Sequence, residues 1–197
     1  VEAGYNNTTG SGGGYNTAVG YRSQKGGSGC SGYYNVSMGA DSLYSFTTGH
    51  RNVAIGQYSL QYLTTGIYNV AVGYEAGKDL TTGQNNTLVG MQAADNITTG
   101  SYNTCIGSDS GEAMTTGNRN TLLGYFSAGR GNDTDDNTVL GYEAGDFIQG
   151  SGGNDGCKNT LVGSYCGDNI TTGANNTVIG YGADANSATG NNEVTLG

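Results

Sequence analysis

The chain has no proline, no tryptophan and a single histidine among its 197 residues, and only seven Lys and Arg stand against sixteen Asp and Glu. Each shortage excludes something. The net charge of −9 repels phosphate backbones and anionic lipid, so neither nucleic acid nor a charged membrane surface is an expected partner. No apolar run approaches the roughly 20 residues of a membrane-spanning helix, so no membrane span is expected. The four cysteines, Cys30, Cys105, Cys157 and Cys166, have neither CxxC spacing nor a histidine cluster beside them, which argues against zinc and leaves disulfide pairing open. Cys105 and Cys166 fall where other repeats carry small or aliphatic residues and read as core positions. The sequence opens at Val1 with no methionine or basic-then-apolar leader, which reads as a removed signal or a piece of something longer.

What is abundant is glycine, 38 residues of it, and it is spaced. A five-residue phrase (Asn, Thr or Val, a small or apolar residue, an aliphatic, Gly) recurs as "NTAVG" at Asn16, "NVAIG" at Asn52, "NVAVG" at Asn69, "NTCIG" at Asn103 and "NTVIG" at Asn176, and closes as "EVTLG" at Glu193. There are eleven copies, and their closing glycines, among them Gly56, Gly73 and Gly90, keep a period of seventeen except for one gap of nineteen and one of twenty-two. Between phrases comes a second pattern: a small residue (Ala76, Ala93, Ser110), a variable stretch, an aliphatic, and "TTG", whose glycine is expected at positive φ. A fixed period in a glycine-rich chain argues for order and for stacked units.

Two short extended stretches per unit cannot bury an apolar face alone, whereas stacked units can. The expected fold is therefore all-β: a parallel β-solenoid, of β-roll or β-helix type, with eleven coils of one period each filling 1–197 as a single repeat domain in a multi-chain fibre. Strands of successive coils would pair about 4.8 Å apart in a rod roughly 50 Å long. Insertions near 11–15, 26–34 and 145–158 should leave the coil at the same turn and decorate one edge. Asn16, Asn35, Asn52, Asn69, Asn86, Asn103, Asn120, Asn137, Asn159 and Asn176 would form an asparagine ladder. Alternation along the phrase puts Thr or Val and the aliphatic on one face and the residue between them on the other. With the aliphatics Val19, Ile55, Val72 and Ile106 inside, the intervening Leu88, Leu122, Val139, Leu161 and Val178 point outward as a self-association face, on which further copies would pack as a closed ring around an axis. The first residues match the phase that follows a phrase glycine, and Gly197 is itself one, so Val1 of one copy could abut Gly197 of the next, end to end.

The phrases "NVAIG", "NVAVG" and "NTVIG" resemble the head repeats of trimeric autotransporter adhesins. That resemblance implies a left-handed parallel β-roll in a three-chain assembly. The longer unit "NNTLVGMQAADNITTGSYNTCIG", Asn85 to Gly107, is similar to repeats of bacteriophage and algal-virus fibre proteins, where "NEVTLG", as at Asn192 to Gly197, commonly precedes a self-cleaving chaperone domain that is absent here. The resemblance covers nearly the whole chain and implies an extracellular, cell-surface or virion fibre. The period is longer than that of the adhesin repeat.

No GxSxG, Walker loop or paired-carboxylate arrangement is present, and a thin rod offers few pockets, so the expectation is a structural protein, not an enzyme, without a cofactor. Four features bear on the question of chemistry. Asp133, Asp135 and Asp136 in "GNDTDDN" offer oxygen ligands to calcium, weighed against a solvated turn. His50 reads as a turn residue. The threonine rank Thr47, Thr64, Thr81, Thr98 and Thr115 suggests ice binding, although turn chemistry explains it equally. Tyr74, Tyr125, Tyr142 and Tyr181 suggest adhesion to surface glycans.

Overall fold

A computed structural model describes residues 3–4, 14–27, 29–130, 133–150 and 155–197. Its regular elements are eleven three-residue strands, one per phrase: β1 Thr17–Val19, β2 Val36–Met38, β3 Val53–Ile55, β4 Val70–Val72, β5 Thr87–Val89, β6 Thr104–Ile106, β7 Thr121–Leu123, β8 Thr138–Leu140, β9 Thr160–Val162, β10 Thr177–Ile179 and β11 Val194–Leu196. They form one parallel sheet in sequence order. Identical phrase positions pair, as Ile55 with Val72 and Val72 with Val89. The chain is a β-solenoid of about ten turns between its first and last strands, as the period predicts.

The asparagine ladder closes each coil and ties it to the next. Asn69 Oδ1 accepts the backbone N–H of Asn86 at 3.0 Å and its side-chain amide at 3.0 Å, while Asn69 Nδ2 donates to the Gly83 carbonyl at 2.9 Å. The backbone contact to the preceding asparagine repeats from Asn35 to Asn176, and Glu193 N–H takes the last place against Asn176. These side chains are buried from Asn35 onward, so the amides replace water for backbone groups that no strand partner reaches.

That ladder overturns the expected phase of the strands. An inward asparagine places the residue two positions later inward as well, so the centre of each strand points into the coil. Leu88, Val139, Leu161 and Val178 are fully buried and Leu122 nearly so; they are core, not a self-association face. The aliphatics expected inside stand outward, with Val19 52% and Met38 44% exposed. Both positions are apolar, so hydrophobicity alone could not choose between them.

The rest of the coil is not a second strand. At the second and fourth residues after the phrase glycines from Gly20 to Gly163 the backbone turns left-handed, as at Tyr58 (φ 62) and Leu60 (φ 48), Gln92 (φ 54) and Ala94 (φ 48). Coil-to-coil bonds continue through this segment, from Leu60 N to the Ala76 carbonyl at 3.1 Å and from Tyr62 N to that of Lys78 at 3.0 Å. The positive φ expected at the "TTG" glycine belongs to the phrase glycine, for example Gly39 at 138°, where a Cβ would come 2.5 Å from the Gly56 carbonyl. The "TTG" glycine is needed for a different reason, close stacking: a Cβ on Gly49 would lie 2.8 Å from the carbonyl of Gly66.

Inside, the strand centres meet buried small residues (Ser59, Ala76, Ala93, Ser110) and a column of Phe46, Leu63, Leu80, Ile97, Met114, Ile148 and Ile170. Each fully buried Leu or Ile contributes about 1.5 to 3 kcal/mol. The second and third insertions both stand where other coils carry "TTG": Ser31 N–H bonds the Thr47 carbonyl at 2.9 Å, and Gln149 N–H that of Thr171 at 2.7 Å. Val1, residues 11–13, 28 and 151–154 lie outside the described residues, and Gly197 follows β11 directly.

Candidate functional site

The outward face of the sheet carries two columns. One is Thr17, Val36, Val53, Val70, Thr87, Thr104, Thr121, Thr138, Thr160, Thr177 and Val194; the other is the aliphatic column from Val19 to Leu196. No charged residue occurs in either. The sheet is in register throughout, so the strip is straight, about 10 Å wide and about 50 Å long.

The threonine rank proposed from sequence is occupied with the coil itself. Thr47, Thr64, Thr81 and Thr98 each donate their hydroxyl to the carbonyl of the matching threonine one coil on, at 3.0 to 3.1 Å. Turn chemistry accounts for them. Their neighbours Thr48, Thr65, Thr82, Thr99 and Thr116 form the exposed rank instead.

The tyrosines singled out for glycans are also partly committed. Tyr125 and Tyr142 stack at 5.2 Å between ring centroids, 20° apart, which hides one face of each ring in the other. Tyr74 meets Tyr58 edge-on at 6.1 Å, and Tyr181 meets Tyr165 edge-on at 6.0 Å. A hydrogen bond with Glu143, then desolvation, pushes the Tyr142 phenol up to about 12.

Asp133, Asp135 and Asp136 do not converge on a common point. Asp133 Oδ1 accepts the Thr115 hydroxyl and the Thr116 N–H, the latter at 2.7 Å; Asp135 Oδ1 accepts Asn118 N–H at 2.7 Å; Asp136 takes Arg119 Nε at 2.6 Å. These carboxylates finish the turn below them, in place of the carbonyl ladder of other coils. Among the described residues no group of three or more His, Cys, Asp or Glu side chains is arranged to hold a metal ion. Gly131 and Asn132 of the same stretch lie outside the described residues.

All four cysteines are buried thiols, and none is joined to another in a disulfide. Cys105 fills a strand centre, and burial raises its thiol to about 12, so it is a small apolar residue in practice. Asp95 is buried beside Glu112 and Asp79, and desolvation, then the charge of Glu112, raises its carboxyl to about 6. His50 is half-buried and stacked on Tyr33 at 4.6 Å, with Arg51 beside it. That aromatic cluster escaped the sequence reading. Its signal is the pair of columns just before each ladder asparagine, where Tyr15, Tyr34, Arg51 and Tyr68, and beside them Tyr33 and His50, follow one another in successive coils. No family model, curated protein or solved structure matches the chain.

Proposed function

We propose that the chain is a structural component of an extracellular, cell-surface or virion fibre, in which solenoids assemble side by side through the outward face of the sheet. The observation that carries this reading is the strip of Thr, Val, Ile, Leu and Met running along all eleven strands with no charge in it. An uncharged strip of that length, with one aliphatic column beside one of Thr and Val, is a surface on which burial of the aliphatics favours association. Its geometric area, about 500 Å², approaches the roughly 800 Å² per partner of a stable interface once the flanking Tyr74, Met91 and Tyr125 are added. A rigid ladder repeating every 4.8 Å or so is matched along its length by another ladder of the same period, which makes a second copy the natural partner. The likeness of the phrases to adhesin and viral fibre repeats points the same way.

Sedimentation velocity and negative-stain microscopy test the reading. The wild type should form oligomeric rods at micromolar concentration. Val89→Lys with Ile106→Lys places two charges at the middle of the strip and should give single rods with unchanged far-ultraviolet circular dichroism. A wild type that stays single-chain at high micromolar concentration overturns the proposal.

A further inference from the structure

Negative charge is unevenly placed around the coil. From residue 14 to 130 the acids are Asp41, Glu75, Asp79, Asp95, Asp109 and Glu112, and every one lies two to six residues after a phrase glycine. The "TTG" positions and the two residues after them carry none in that span. On this acid-free side stands Arg51. Arg22 pairs with Asp41, Arg119 with Asp135 and Asp136, and Arg130 with Asp146, whereas Arg51 has no carboxylate partner among the described residues.

Arg51 is held by aromatic rings instead. Its guanidinium carbon lies 5.6 Å from the ring centre of Tyr33, 5.8 Å from that of Tyr34 and 5.3 Å from that of Tyr68, and Nη1 donates to the Tyr68 hydroxyl at 2.9 Å. His50 stacks on Tyr33 and Tyr15 stacks on Tyr34 at 5.2 Å. Tyr15 is 84% exposed, and Arg51, Tyr34 and Tyr68 are exposed as well. A guanidinium has five N–H donors in a planar fork, and one of them is spent on the phenol. The cluster therefore presents an oriented, unneutralised cation among phenol hydroxyls and ring surface, next to the exposed threonine rank.

We propose that this cluster binds an acidic polysaccharide, with a carboxylate or sulfate of the sugar chain seated on Arg51 and the sugar ring against the tyrosines. A fixed arginine fork selects such planar or tripodal anions, and the aromatic surround suits the C–H faces of a pyranose, which a bare phosphate or sulfate ion would not use. The net charge of −9 opposes any polyanion, so the contact is confined to the acid-free side of the coil around Arg51. The exposed threonines above the cluster extend the hydroxyl-bearing track along the axis. This inference uses a different column from fibre assembly, the one two residues before the first outward column of the strip, as Arg51 is to Val53.

The chain itself supplies variants that keep the fold. Asn85, Asn175 and Asn192 occupy the position of Arg51, Tyr34 and Tyr68 in other coils, at φ 57°, 58° and 61°. The experiment is affinity electrophoresis in native gels containing sulfated dextran, polygalacturonate or unmodified dextran, at low salt. The wild type should be retarded by at least one acidic polymer and not by plain dextran; which of the two retards it identifies the anion. Arg51→Asn should weaken that retardation about tenfold or more, Tyr68→Asn and Tyr34→Asn should weaken it less, and Arg119→Asn should leave it unchanged, with circular dichroism matching the wild type throughout. No retardation by either acidic polymer, equal retardation by plain dextran, an unaffected Arg51→Asn, or equal loss in Arg119→Asn would each overturn the proposal. Rod formation is scored separately by sedimentation, so failure of one reading is visible without failure of the other.

Discussion

Leu88 fills the space that Gly77 leaves empty: a Cβ on Gly77 would come 2.5 Å from Leu88 Cδ1 and 3.1 Å from Leu60 Cδ2. The same exchange of volume runs along the rod. Ser37 and Ala54 sit in coils with Leu43 and Leu60, and Leu161 sits between Gly145 and Gly167. Gly77→Ala should destabilise by about 1 to 3 kcal/mol through overpacking and Leu88→Ala by about 2 to 5 kcal/mol through the cavity it leaves. The double variant should cost clearly less than the sum in urea unfolding, because the new methyl enters the space vacated by Leu88. Strict additivity would show that the two side chains are not in contact.

Asn103→Ala removes the acceptor of the Asn120 N–H at 3.0 Å and the donor to the Gly117 carbonyl at 2.7 Å, leaving both buried groups unmet. Destabilisation of about 3 to 5 kcal/mol is expected. Thr98→Val, which deletes only the half-buried hydroxyl bond to Thr115 at 3.1 Å, should cost about 1 kcal/mol. Chemical denaturation of the two variants side by side measures the difference, and equal losses would deny the asparagine ladder its special weight.

Stability should peak in mild acid. Asp95 has its folded carboxyl raised to about 6 from an ordinary 3.8, so its charge opposes folding; stability is lost as pH climbs from about 4 to about 6 and stays lost above. Asp133 and Asp136 are held below the ordinary range, by Thr115 and Thr116 in one case and Arg119 in the other, so their contribution is present above about pH 4 and fades as pH falls further. Asp95→Asn should raise the Tm at pH 7 by about 2 °C or more and flatten the change between pH 4 and 7. An unchanged Tm at pH 7 would contradict the burial cost assigned to Asp95.

Removal of Tyr68 to Gln84, one full period, joins Ile67 to Asn85 and restores every column in register. This variant should fold with the same circular dichroism per residue and a rod shorter by about 5 Å in small-angle scattering. A deletion from Tyr68 only as far as Thr81 stops short of the period, breaks every ladder at once and should unfold the coils around the junction. Equal tolerance of both deletions would refute the one-coil-per-period architecture.

The period, the parallel register and the asparagine column could all be read from the sequence because each is a repetition, and repetition survives without coordinates. The phase of the strands could not be read from hydrophobicity, since Leu88 inside and Val89 outside are both aliphatic. It was implicit in Asn86: once that amide serves buried backbone, Leu88 must follow it inward. The left-handed residues were hidden for another reason. Tyr58, Leu60 and Phe126 adopt φ of 48° to 62°, which no local preference of these side chains favours, so only stacking on neighbours holds them there. The cluster around Arg51 lies at regular repeat positions, just before the ladder asparagines, but the residue type there changes from coil to coil, so the repeat pattern itself does not mark it.

Those left-handed residues also govern how the rod can come into being. The coil from Asn52 to Tyr68 holds three of them, Tyr58, Leu60 and Tyr68, each costing about 1 kcal/mol or more when unsupported. A lone coil bears that penalty without a neighbour to bond, whereas a coil laid on a finished one recovers it through the ladders on all sides. Folding should therefore resemble crystal growth, with a slow nucleus of a few coils and fast accretion from its faces.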